Sequence, residues 1–168
     1  ALVSIASNTA FPTCAGTSVT FTATPTNGGA TPTYQWKKNN ANVGTNSPTY
    51  TLTGLKNNDQ IKCIMTSSIA GALNNPATSN TITSLINPVP DVSITAAGPT
   101  TFCNQANLCT LTAQNASGLT LQWTKNNNNI SGATGATYVP TTSGTYKVKA
   151  TTINGCTDLS SGQAIVVN

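Results

Sequence analysis

The 168-residue chain contains no histidine, no glutamate and no arginine; its charge rests on seven lysines and three aspartates, Asp59, Asp91 and Asp158. These absences exclude much. Acid–base and nucleophilic catalysis need an acid, a base or an activated nucleophile held in geometry, and only three carboxylates remain to supply one. Each lies in a different predicted element: Asp59 beginning a strand, Asp91 just after a proline-rich join, Asp158 following Cys156. Paired-carboxylate hydrolysis wants two such groups within about 5–10 Å, and nothing in the sequence brings these together. We therefore read the chain as non-enzymatic, with the aspartates as turn or edge residues.

Other ligands are equally short of partners. A calcium cage draws several carboxylates into its six to eight oxygens. Zinc boxes use close Cys and His pairs, whereas this sequence has no CxxC and no His. No metal or cofactor is expected. Nucleic acid is not an expected partner, because phosphate and base contacts lean on arginine and clustered cations. The lysines are dispersed, and the net charge is only +4. No apolar run approaches the roughly 20 residues that span a bilayer, and no basic-then-apolar leader is present. The opening "ALVSIAS" already alternates like a strand, so the sequence reads as a mature product or as a piece of something longer.

What the chain does have is Thr, Ser, Asn, Gly and Pro, which favour turns or disfavour helix. Its apolar residues recur with period two, as in Val19-Phe21-Ala23, Ile61-Cys63-Met65 and Tyr146-Val148-Ala150. That is the pattern of half-buried strands. Many short strands between turn residues predict an all-β sandwich.

The chain also repeats itself. "TYQWKKNNANV" at 33–43 returns as "TLQWTKNNNNI" at 120–130, "CAGTSVTFTATP" as "CNQANLCTLTAQ", and "NDQIKCIMTSS" as "SGTYKVKATT". Two copies of one module, each roughly 80–85 residues, fall within the usual size of a domain. The predicted division is a module over 1–87, a linker over 88–90 carrying Pro88 and Pro90, and a module over 91–168. Prolines there favour a stiff, extended connection.

Each module fits an immunoglobulin-like layout with strands lettered A to G, giving two tandem immunoglobulin-like β-sandwiches. Ala23 and Ala113 stand on strand B, Trp36 and Trp123 on strand C, and Cys63 and Val148 on strand F. The central B–F disulfide of antibody domains therefore cannot form. Tyr146, two residues before Val148, matches a tyrosine corner; Ile61 stands in its place in the first module.

Treating the modules alike pairs Cys14 with Cys63 and Cys103 with Cys156, each bond closing a loop of roughly 50 residues worth on the order of 4 kcal/mol in the chain-entropy model. Such bonds imply an oxidising, extracytoplasmic compartment. Cys109, aligned with Val19 on the inward face of strand B, is expected as a buried thiol acting as a small apolar residue. An intermolecular bond or a pairing with Cys103 are the alternatives.

"GPTTFC", "GTYKVKATTINGC" and "CAGTSVTFTATPTNGGATPTYQW" together resemble the Ig-like repeat modules of large secreted Bacteroidetes proteins, including gliding-type surface adhesins and modular exported enzymes. The resemblance covers nearly the whole chain. It implies export by the type IX secretion route, although no separate C-terminal sorting domain is visible. Cys109 departs from the pattern, which has Val there.

For contacts, sugar platforms need exposed aromatics, yet Trp36, Trp123, Phe21, Tyr34, Tyr50 and Tyr138 fall at inward positions, with Phe11 and Phe102 undecided. Two kinds of loop remain. The C–C′ turns, Asn39, Asn40 and Asn42 and then Asn126, Asn127, Asn128 and Asn129, offer many amide donors and acceptors, although turn chemistry alone justifies asparagine there. The F–G loop of the first module, "SSIAGALNNPATS", carries Ile69 and Leu73 at its tip. The sequons at Asn115 and Asn129 matter only in a host that glycosylates asparagine.

Three functions fit. The first is a structural or adhesive segment of an extracellular surface protein, its partners being neighbouring modules or further copies of itself. The second is a glycan- or surface-binding accessory module of a secreted enzyme. The third is a filament subunit that polymerises by strand addition, with "ALVSIAS" or "AIVVN" as donor.

Overall fold

Strand is the outcome that Thr, Val, Ile and aromatic alternation dictates, and the computed structural model, which describes residues 1–102 and 109–168, contains strands and no helix among those residues. The chain divides into two units, Ala1–Asn87 and Pro88–Asn168.

The first unit holds β1 (Leu2–Ser7), β2 (Thr13–Cys14), β3 (Val19–Thr26), β4 (Thr33–Lys38), β5 (Ala41–Val43), β6 (Thr49–Leu52), β7 (Gln60–Thr66), β8 (Ala77–Thr78), β9 (Ile82–Thr83) and β10 (Ile86–Asn87). The second holds β11 (Ser93–Ala97), β12 (Thr101–Phe102), β13 (Thr110–Gln114), β14 (Thr120–Lys125), β15 (Asn128–Asn129), β16 (Thr137–Tyr138), β17 (Gly144–Thr151), β18 (Thr157–Leu159) and β19 (Gln163–Val167).

Each unit is a two-sheet sandwich with the same wiring. One sheet runs β1-β3-β6 in the first unit and β11-β13-β16 in the second. The facing sheet runs β5-β4-β7-β8, with β9 also on β7, and correspondingly β12-β19-β17-β14-β15, with β18 on β17. A short parallel pairing recurs too, β2 with β10 and β12 with β19. These are the A-B-E and C-F-G sheets of an immunoglobulin-like sandwich, so the chain is all-β, two such sandwiches in tandem. Strand B of the first unit runs three residues past Ala23, to Thr26.

The core follows from the period-two pattern. In the first unit Val3, Ile5, Val19, Phe21 and Ala23 from one sheet meet Trp36, Ile61, Cys63 and Met65 from the other. In the second, Leu111 and Ala113 meet Leu121, Trp123, Tyr146, Val148, Ala150 and Ile165. Both tryptophans are wholly buried. Each stacks on the tyrosine of the E strand, Trp36 on Tyr50 and Trp123 on Tyr138, with ring centroids 5.8 Å apart in both cases. Each indole N–H, which burial obliges to find an acceptor, donates to a carbonyl at 2.9 Å, Ser47 in one unit and Gly135 in the other. Phe102 is buried, and Phe11 packs against the first core.

One expectation is corrected. Cys63 is a free thiol, so Cys14 and Cys63 are not paired. The ladders give the reason. Cys63 lies in the middle of β7 opposite Trp36, its side chain directed into the core, whereas Cys14 stands on the short β2 beside Asn87 of β10. Cys14 and Cys156 are both disulfide-bonded; Cys103 lies outside the described residues. Cys109 is a buried free thiol, as expected of a small apolar residue on strand B, and is not paired within the chain.

Candidate contact surface

The duplicated phrase is a tight hairpin in both units. Lys38 pairs with Ala41 and Lys125 with Asn128, leaving two residues at each tip. Those residues, Asn39 and Asn40 (φ 49° and 69°) and Asn126 and Asn127 (φ 50° and 66°), all have positive φ. Two consecutive left-handed residues are the requirement of a type I′ turn, the form that matches strand twist. Asparagine meets it more cheaply than other non-glycine residues because its short amide bonds locally.

The first asparagine of each tip is also committed by its side chain. Asn39 Oδ1 accepts the Gln60 N–H at 2.9 Å, and Asn126 Oδ1 accepts the Thr145 N–H at 2.9 Å. Each thereby clamps the hairpin to the start of the F strand. Asn39 and Asn126 are therefore scaffold. Asn40, Asn42, Asn127, Asn128 and Asn129 stay exposed. Lys37 Nζ donates to Asn42 Oδ1 at 2.8 Å, Lys147 Nζ donates to Asn127 Oδ1 at 3.2 Å, and the Asn128 amide donates to the Asn126 carbonyl at 3.3 Å.

Two further shared devices escape a reading of composition. Gln35 Nε2 donates to the carbonyls of Trp36 and Val43 at 2.9 and 3.1 Å, and Gln122 Nε2 to those of Trp123 and Ile130 at 2.8 Å each. Their signal was the Gln-Trp pair inside the repeated phrase. Buried Ser79 and Ser160 accept the N–H groups of Cys63 and Val148 at 2.9 and 3.0 Å, pinning the last strand segments to strand F. The serines sit in weakly patterned segments that carry no such signal.

The three aspartates do not converge. Asp59 is buried at the foot of β7 and bonds Lys38 Nζ at 2.7 Å, the Lys56 N–H at 2.9 Å and Asn39 Nδ2 at 2.7 Å. Burial pushes its carboxyl up, but these hydrogen bonds and the Lys38 charge outweigh it and hold the group below the usual carboxylate range. Asp91 precedes β11, its carbonyl accepting from Asn115. Asp158 is exposed on β18 opposite Ala150. Among the described residues no cluster of His, Cys, Asp or Glu could hold a metal ion.

In the F–G loop of the first unit Ile69 is partly exposed and Leu73 is 82 % exposed, so the tip is apolar and open. The loop's base is fixed by Asn75, whose amide bonds both backbone groups of Ser67, and the Ala1 nitrogen donates to the Leu73 carbonyl. Among the described residues no helix is long and apolar enough to cross a membrane.

No known family model matches this chain, and no curated protein sequence matches it. Among solved structures, the fibronectin(III)-like modules of Clostridium thermocellum CbhA are 15% identical, with a TM-score of 0.43, over 97% of this chain and 92% of that one. Tandem Ig repeats of Dlar are 14% identical, with a TM-score of 0.32, over 92% and 90% of the two chains. The I67–I69 fragment of titin is 14% identical, with a TM-score of 0.35, over 92% of this chain and 61% of that one. The sandwich assignment stands on the ladders above, and no residue role is carried across from these neighbours.

Proposed function

We propose that this chain is a non-catalytic structural or adhesive segment of an extracellular protein, two immunoglobulin-like sandwiches used as spacer and contact surface. The observation that carries the reading is where the chemically capable side chains went. Asp59 is spent on a lysine and two N–H donors, and Asn39 and Asn126 on strand clamps. Cys63 and Cys109 are buried as apolar residues. The same scaffold positions recur in both units, as expected when a module is copied for length and surface. That Cys14 and Cys156 are disulfide-bonded supports an oxidising, extracytoplasmic location. A Bacteroidetes surface protein of the gliding-adhesin kind is the parent that the sequence resemblance favours.

Filament assembly by strand donation receives less support. β1 is laddered to β3 along its whole length, and β19 lies between β12 and β17, so either donor would have to leave its own sandwich. The test is a hydrolysis panel of polysaccharides and peptides, run beside adhesion of chain-coated beads to cells and glycan films. Adhesion without turnover is expected; reproducible turnover that tracks the pure chain overturns the reading.

A further inference from the structure

The lysines form no run in the sequence, but the ladders gather them. In the first unit Trp36, Ile61, Cys63 and Met65 point into the core, so the alternate residues of β4 and β7 point outward. On that outward face Lys37 stands directly opposite Lys62. Cβ atoms of directly opposed residues lie about 4.5–5.5 Å apart, and like charges so placed destabilise the pair. Among the described residues the one ion pair is Lys38–Asp59, so neither of these ammonium groups is matched with a carboxylate. Asp59, the acid of this unit, is bound instead to the neighbouring Lys38 and the backbone of Lys56.

Nor is Lys37 loose. Its Nζ is held by Asn42 Oδ1 at 2.8 Å and bonds the Asn40 carbonyl at 3.4 Å, which places a fixed cation beside the exposed carboxamides of the hairpin. The second unit repeats the theme with Lys147 and Lys149 on the outward face of β17, Lys147 bonded to Asn127. Thr33 and Thr66 stand opposite each other on the same face of the first unit as the lysine pair, adding hydroxyls and no acid.

We propose that the outward face of β4 and β7, centred on the Lys37–Lys62 pair with Asn40 and Asn42, binds an acidic polysaccharide through its carboxylate or sulfate groups. Charge complementarity selects an anion, since a bound oxyanion lying between the two ammoniums turns their repulsion into two attractions. The surroundings select a polysaccharide. A single-stranded nucleic acid needs exposed aromatics for its bases, and both tryptophans are wholly buried; the chain also has no arginine for phosphate forks. Amides and hydroxyls around two point charges suit a polyhydroxyl chain carrying spaced acids. The inference deepens the extracellular adhesive reading and rests on it, by naming the class of surface that would be gripped.

The test uses the intact chain on films of polygalacturonate, dextran sulfate and neutral dextran, with polyglutamate and double-stranded DNA as competitors, at low and raised salt. Expected is retention on both acidic films and not on dextran, lost on adding salt. Lys37→Gln/Lys62→Gln should weaken retention at least fivefold and Lys56→Gln should leave it unchanged. Lys37→Thr/Lys62→Thr, with strand-compatible side chains, is the folding check, since removing the like-charge pair should not lower the melting temperature. Absence of retention, an unaltered Lys37/Lys62 double variant, or tighter binding to DNA or polyglutamate than to the acidic glycans each overturns the proposal. These failures would leave the non-catalytic spacer reading standing, whereas hydrolysis of a bound film would overturn that reading and leave the binding face in place.

Discussion

The two sandwiches solve one problem in different ways. At the foot of strand F the first unit has Asp59 and Ile61, and the second has Gly144 and Tyr146, with a lysine at the end of strand C in both. In the first, Lys38 bonds Asp59, which also accepts from the backbone of Lys56 and the amide of Asn39. Ser84, buried, joins the same knot through its hydroxyl to the Lys56 carbonyl at 2.6 Å. In the second there is no acid. Lys125 lies across Gly144, where an added Cβ would come within 2.6 Å of the lysine chain, and donates to Thr142 Oγ1 at 2.7 Å. The Tyr146 hydroxyl then donates to the Thr142 carbonyl at 2.8 Å, forming the tyrosine corner. An ionic knot and a neutral aromatic corner thus close equivalent ends of equivalent sandwiches. The tryptophan, the hairpin clamp and the buried serine do not vary, while this corner does.

If that division is right, a shared feature should cost the same in either unit. Trp36→Ala and Trp123→Ala should each destabilise their unit by about 3–5 kcal/mol, the usual range for emptying a large aromatic from a core. Denaturant unfolding followed by far-ultraviolet circular dichroism would read both. A large inequality between them would break the claim that the two cores are one design.

The corner residues should behave unlike one another. Asp59→Asn removes a carboxylate with three partners and should cost about 1–3 kcal/mol, as expected for losing charged hydrogen bonds at a buried site. The effect should depend on pH. The folded state holds the Asp59 carboxyl below its ordinary value, so its stabilisation is present above the unfolded value near 4 and fades as pH falls through the lower, folded one. Acid titration of the native chain and of Asp59→Asn should therefore converge below the normal carboxylate range and diverge above it. Parallel curves would mean that the knot contributes nothing. Tyr146→Phe should cost less, about 0.5–1.5 kcal/mol for one neutral hydrogen bond, with no acid limb of its own.

These contrasts also mark how far the sequence could be read. The sandwiches, the core tryptophans and the tyrosine corner follow from period-two alternation and spacing, which are local signals. The hairpin tips were legible as turns, since paired asparagines are one way to supply two left-handed residues. What stayed hidden depends on register. Lys37 and Lys62 are far apart in the chain and meet only because β4 and β7 pair as they do. The Ser79 and Ser160 anchors are equally non-local. The pairing of Cys14 with Cys63 fails for the same reason: symmetry between the modules does not imply proximity, and the ladder puts Cys63 in the core opposite Trp36.

That failed pairing yields the smallest and sharpest contrast. Cys63 and Val148 occupy one position in the two units, each facing its tryptophan across the ladder and each donating its N–H to an equivalent serine hydroxyl, Ser79 or Ser160. If the thiol serves only as volume, Cys63→Val should change stability by less than about 1.5 kcal/mol, the range for volume-conserving apolar swaps. The thiol should also resist aqueous alkylating reagents until the chain unfolds, because burial pushes its pKa up to about 11 and leaves almost no thiolate at neutral pH. Its stabilising contribution is complete below the unfolded value near 9 and is lost as pH rises through about 11. Alkaline titration of the native chain and of Cys63→Val should therefore coincide up to the unfolded value and separate above it, with the valine variant holding its stability further. Labelling of Cys63 in the folded chain, or a valine variant that unfolds at neutral pH, would show that the first sandwich needs its sulfur in a way that the second, with Val148, does not.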